Sequence, residues 1–246
     1  EVFRKHFTLV LILVVVVTAA EAHLRYALVL ALALDASAVD AAQAIRPNVF
    51  FVEGGPGVVA VSMVSLAAVS MLTASFAYAV LDLQHAGATT AAACLRRGLK
   101  SLPKVFLIQL VYTVATFVGY LIFIVPGVIL NLMFAVAAPA AIAEGAGVSR
   151  SFTRSEALTR GYKGLVFVTY FVWWIAVAVV SYVITSSFSH AERYSLPYVA
   201  VQALVGGVLN STTAVLSVFV YLGLLHEKGQ GLDARVFAQE TAAGRR

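Results

Sequence analysis

Charge is scarce in this chain. Of its 246 residues, 12% are Asp, Glu, Lys or Arg while 61% are hydrophobic, and the mean hydropathy is +0.92. An ordinary soluble domain carries about 25% charged residues. That deficit excludes a soluble globular enzyme, a disordered chain and a nucleic-acid binder, and it leaves an integral membrane protein. Cysteine is scarcer still. Cys94 stands alone and cannot form an internal disulfide. The histidines His6, His23, His85, His190 and His226 are scattered, with no i,i+4 pair and no thiol or carboxylate cluster beside them. Zinc sites need several such ligands at close spacing, so no metal and no cofactor is expected. Enzyme signatures are missing as well: no Gly-x-Ser-x-Gly, no His-Glu-x-x-His, no Gly-x-x-x-x-Gly-Lys and no pair of membrane-embedded aspartates. No catalytic residue is assigned. No cleavable signal is visible, and the opening Glu1 without a Met predicts a trimmed terminus or an excised domain.

What the chain does have is long runs without charge, at 6–20, 54–81, 105–143, 164–191 and 194–226. About 20 apolar residues cross the hydrocarbon layer as a helix. The run 105–143 is too long for one crossing, and Pro126-Gly127 supplies a turn in its middle. The predicted fold is therefore all-α, a polytopic bundle of six transmembrane helices at about 5–22, 58–81, 105–125, 128–144, 164–185 and 196–225. Ala27–Leu34 reads as a short interfacial helix and Glu53–Gly57 as a flexible loop. The whole chain, 1–246, forms one transmembrane domain.

Six crossings sort the charge. If both termini share a side, the basic residues gather there, and only Arg25, Arg46 and Arg193 fall opposite. The positive-inside rule then predicts cytoplasmic termini and a bacterial inner-membrane location. The pI of about 9.4 is accounted for by topology and implies no nucleic-acid partner.

Two connectors on the basic side resemble each other. Cys94–Phe106 leads into span three, with Leu95, Leu99 and Leu102 on one helical face and Arg96, Arg97 and Lys100 around them. Leu158–Phe167 leads into span five in the same way. Val2–Phe7 has the look of a third, truncated copy. Short amphipathic basic helices are predicted at about 87–102 and 149–160, the second capped by Ser149, lying in the headgroup layer against anionic lipid.

Polar residues inside the spans are few. Gln202, Gly206, Asn210, Thr213 and Ser217 form a polar stripe on span six, beside the small residues Ala203, Gly207 and Ser211. Amides facing lipid would lack partners at a cost of several kcal/mol each. Gln202 and Asn210 are therefore expected to face inward and to meet Gln109 on span three and Asn131 on span four. An interhelical packing cluster is preferred over a polar cavity. The small stripe permits a homodimer and serves packing within one bundle equally well. Trp173 and Trp174 are expected to fill gaps between helices. Among the ionisable residues, Glu21, Asp82 and Glu144 stand near span ends. Glu144 opposes the dipole of its helix and calls for Arg150 or Arg154 as compensation, in an ion pair at the cytoplasmic rim. Pro139 should kink span four.

Together, Ile124–Leu130 with its Pro126-Gly127, Ala138–Gly145 with its Pro139 and Glu144-Gly145, and Ser151–Gly161 resemble the membrane domain fused to some bacterial glycerophosphoryl diester phosphodiesterases. They are also similar to stand-alone relatives of the YciC type. The tail Tyr221–Asp233 fits the same family's closing pattern, with His226 where a basic residue is more usual. The resemblance covers about 86–235 and implies a six-span inner-membrane bundle. It implies no reaction, because the family's phosphodiesterase activity belongs to a separate soluble barrel. The expectation is a non-enzymatic module that organises membrane lipid or localises a soluble or membrane protein partner. The alternatives are a permease for a lipid-like or small neutral solute and, more weakly, an intramembrane lipid enzyme.

Overall fold

A computed structural model describes residues 12–13, 15–17, 56–85, 89–187 and 196–230. Among them there are helices and no strand. In chain order the helices are α1 (Pro56–His85), α2 (Ala91–Ile122), α3 (Ile124–Phe134), α4 (Ala137–Ala143), α5 (Val148–Thr159), α6 (Lys163–Ser186) and α7 (Leu196–Glu227). Among the described residues five stretches are long and apolar enough to cross a membrane: Ser62–Gln84, Ala91–Ile122, Ile124–Ala143, Lys163–Ile184 and Val205–Glu227. The chain is an all-α polytopic bundle. The expected first span, 5–22, lies outside the described residues except for helical 12–13 and 15–17. Leu13 and Val17 there are buried in one core with Leu72 and Phe76 of α1 and Ala214 and Val215 of α7. The expected interfacial helix at 27–34 and the loop at 53–57 also fall outside, apart from the backbone of Pro56 and Gly57 at the start of α1.

Prolines decide where the third and fourth spans break. Proline has no N–H and its ring crowds the carbonyl four residues earlier, so a helix accommodates it most readily in its first turn. Pro126 and Pro139 both occupy the third position of a new helix. The earlier helices accordingly end at Ile122 and at Phe134. The reversal expected at Pro126-Gly127 is thus made at Phe123, whose backbone is extended (φ −169°, ψ 155°). Pro139 does more than kink its span: it divides it into α3 and the short, fully buried α4. Gly127 serves close packing instead of a turn. A Cβ at Gly119 would lie 2.9 Å from the Gly127 Cα, and one at Gly127 would strike the Tyr120 ring. These two glycines let the arms of the α2–α3 hairpin touch.

The basic connector before span three is not a separate helix. Thr90 caps α2, its Oγ1 accepting from the Ala93 amide at 3.3 Å, and the helix then runs unbroken through Pro103 to Ile122. The second basic helix does form, as α5. Its cap is Gly147 in place of Ser149 and has no side-chain bond. Its packing also differs from expectation. Ser151, Ser155, Leu158 and Thr159 are buried in the protein, so α5 does not lay this face on lipid. The small hydroxyls permit close approach, and Ser155 donates 2.6 Å to the Met133 carbonyl beside the break in α3–α4.

Of the five described spans, that of α6 is the least buried. Val166 and Tyr170 are buried while Phe171, Val172, Ile175, Val179 and Val183 are exposed. Trp173 fills a gap as expected and donates Nε1 to Thr213 of α7 at 2.9 Å. Trp174 is exposed.

Candidate functional site: the basic end of the bundle

Chain reversals bring the end of α1, the start of α2, the end of α4, all of α5 and the end of α7 to one end of the molecule. Two ionic clusters sit there. In the first, Asp82 at the end of α1 is clasped by Arg97 of α2, Nη1 donating to Oδ1 at 3.0 Å and Nη2 to Oδ2. Both side chains are about nine-tenths buried, at 8% and 10% exposure. Thr89 adds a third bond to the carboxylate at 2.9 Å and lies 3.3 Å from the buried Cys94 Sγ. The guanidinium also stacks 4.9 Å from the centre of the Tyr78 ring, and the Tyr78 hydroxyl meets Ser101 at 2.7 Å. A buried charge is tolerable only when paired and hydrogen-bonded, and every requirement is met here.

The second cluster joins three helices. Glu144 follows α4, where Gly145 (φ 62°) takes a left-handed conformation and turns the chain toward α5. Its Oε1 accepts from Arg154 Nε of α5 at 2.7 Å and from the Tyr221 hydroxyl of α7 at 2.8 Å. Tyr221 is fully buried. Of the two arginines expected as compensation, Arg154 supplies it, while Arg150 is exposed and outside the cluster. Two lysines cap neighbouring helices. Lys104 donates to the Ala141 carbonyl in the last turn of α4 at 3.1 Å. Lys228 donates to the Ala157 and Arg160 carbonyls at the end of α5. Cations there oppose the negative end of the helix dipole.

The intramembrane amides expected to cluster are placed apart. Gly119 meets Gly127 and Lys104 meets Ala141, so Gln109 is level with residues near Ala137. Asn131 is six residues nearer the hairpin tip, an axial offset of about 9 Å. Both are half-buried, Asn210 is exposed, and the side chain of Gln202 lies outside the described residues. Asn210 therefore does not turn inward as expected. The buried face of α7 holds Ser211, Ala214, Ser217, Val218 and Tyr221 instead. Ser211 and Ser217 satisfy their own hydroxyls on carbonyls of Gly207 and Ala214, each at 2.7 Å, and so need no cross-helix partner. Among the described residues no group of three His, Cys, Asp or Glu is placed to hold a metal.

Comparison with known proteins found no matching family model, no similar curated protein and no similar solved structure.

Sequence reasoning marked Tyr221 only as the start of the closing pattern and missed both its bond to Glu144 and the Asp82–Arg97 clasp. The signal for the clasp was present: a carboxylate at the end of a span and a cluster of arginines one short connector later. Nothing local announces the partner of Tyr221.

Proposed function

We propose that the chain is a non-enzymatic membrane module whose basic end faces the cytoplasm of a bacterial inner membrane and gathers anionic lipid headgroups around the bundle. One observation carries this reading: among the described residues of this end, every carboxylate but Glu227 is paired with an arginine. Asp82 is held by Arg97, Glu144 by Arg154, and Glu156 by Arg160 at 3.3 Å. Arg96 and Arg150 remain exposed, so the outward charge here is cationic, with Glu227 the carboxylate at its margin. Leu99 is exposed between Arg96 and Lys100, an arrangement suited to the boundary between headgroups and acyl chains. The resemblance to the membrane domain of glycerophosphoryl diester phosphodiesterases and to YciC-type proteins supports a role without chemistry of its own.

Native mass spectrometry of the protein extracted with its lipids tests this. Each basic residue near an anionic surface contributes about 1 kcal/mol, so Arg96→Ala with Arg150→Ala should weaken anionic-lipid retention by about thirtyfold. Equal retention of anionic and zwitterionic lipid by the wild type, or no change in the double variant, would contradict the proposal.

A further inference from the structure

The break between α3 and α4 leaves polar groups in the interior of an apolar bundle. Residue 139 is proline, so the Ala135 carbonyl has no i+4 amide to accept from. Its neighbours are provided for: the Met133 carbonyl accepts from Ser155 at 2.6 Å and the Val136 carbonyl from the Ala140 amide at 3.0 Å. An independent observation comes from α6. Tyr170 is 6% exposed, and its hydroxyl is buried without a hydrogen-bond partner. Tyr170 belongs to the same contiguous core as Val136, in the break, and Ala137, which opens α4. Tyr112 of α2 lies within electrostatic range of it and, by the hairpin register, level with Phe134. A buried hydroxyl without a partner costs about 1–3 kcal/mol, and a deprived carbonyl is penalised in the same way.

We infer that the break in the α3–α4 span is a binding site for a neutral, hydroxyl-bearing amphiphile, held between the Tyr170 hydroxyl and the Ala135 carbonyl. An alcohol suits this pair, because it can accept from the phenol and donate to the carbonyl at once. Charge does not suit it. Neither 105–143 nor 164–191 holds an Asp, Glu, Lys or Arg, so a phosphate or ammonium would be buried unpaired. Entry is lateral, past α6, where Trp174, one turn from Tyr170 with ring centroids 6.4 Å apart, is exposed. The ligand's chain can then stay in the hydrocarbon. This site is independent of the anionic lipid proposed for the basic end, and its ligand is of the opposite kind.

Thermal unfolding of the full chain in detergent, with dodecanol, dodecane or dodecyl phosphate added, tests the inference. The expected result is a saturable rise in melting temperature with dodecanol and none with the other two. Tyr170→Phe should fold at least as stably as the wild type without ligand and should lose the dodecanol shift. Pro139→Ala, which restores an amide for the Ala135 carbonyl, should lose it too. No dodecanol shift in the wild type, an equal shift with dodecane, or an undiminished shift in Tyr170→Phe would overturn the site. So would failure of Tyr170→Phe to fold, since it would show that the hydroxyl is already partnered.

Discussion

The hydroxyl of Tyr221 donates to Oε1 of Glu144 at 2.8 Å across a separation of 77 residues, and the same oxygen accepts from Arg154 Nε. One acceptor oxygen thereby ties the end of the broken span, the α5 helix and the closing helix into one unit. Hydrogen bonds to a charged group contribute about 1.5–3 kcal/mol. Tyr221→Phe keeps the ring in its buried place and removes only this bond. Its free energy of unfolding in detergent should fall by an amount in that range. Glu144→Gln should cost more, because Arg154 loses its ionic partner as well.

The Asp82–Arg97 clasp makes a different prediction. Removing one member of a buried ion pair leaves the other uncompensated, at about 3–5 kcal/mol. Arg97→Met alone should be strongly destabilising. The double variant Asp82→Leu with Arg97→Met should recover most of the loss, because no buried charge then remains. A double-mutant cycle of unfolding free energies measures the coupling. Additive losses would show that the pair does not act as a unit.

Close contact at the hairpin can be probed from either side. Gly119→Val and Gly127→Val each put carbon where the opposite arm already stands. Overpacking of this kind typically costs about 1–3 kcal/mol. The hairpin tip is already exposed, with Phe123 at 73%, so protease cleavage near it in detergent should accelerate. Gly147→Ala is the control: a Cβ there meets nothing within 4 Å, and cleavage should not change.

Ser155→Ala leaves the Met133 carbonyl without its side-chain donor. A loss of about 1 kcal/mol is expected, with faster hydrogen exchange confined to α5 and the adjoining turn. A uniform change across the bundle would argue against a local seal over the break.

Much of this architecture could be read from residue order because lipid imposes a simple condition. Spans must be apolar and satisfy their own backbone, so charge-free runs and basic flanks mark them directly. Even the Glu144 ion pair was within reach, since its partner follows ten residues later. The reversal point was displaced because Pro126 invites a turn reading, yet proline in the first turn of a helix moves the break back to Phe123. Gln109 and Asn131 were paired by chemistry alone. Their register depends on the glycine contact between Gly119 and Gly127, which no local pattern reveals. Tyr221 was unreadable for the same reason: its partner is set by how three helices converge.

The proposed orientation puts α5 and the ionic clusters on the cytoplasmic side and the far end of α6 outside. Cys94 is the sole cysteine and is buried, so single-cysteine variants can be labelled over a low background. Ser149→Cys sits at the exposed start of α5 and Ser187→Cys at the exposed end of α6. With a membrane-impermeant maleimide and intact spheroplasts, Ser187→Cys should label at once and Ser149→Cys only after permeabilisation. The reverse pattern, or immediate labelling of both, would contradict the account.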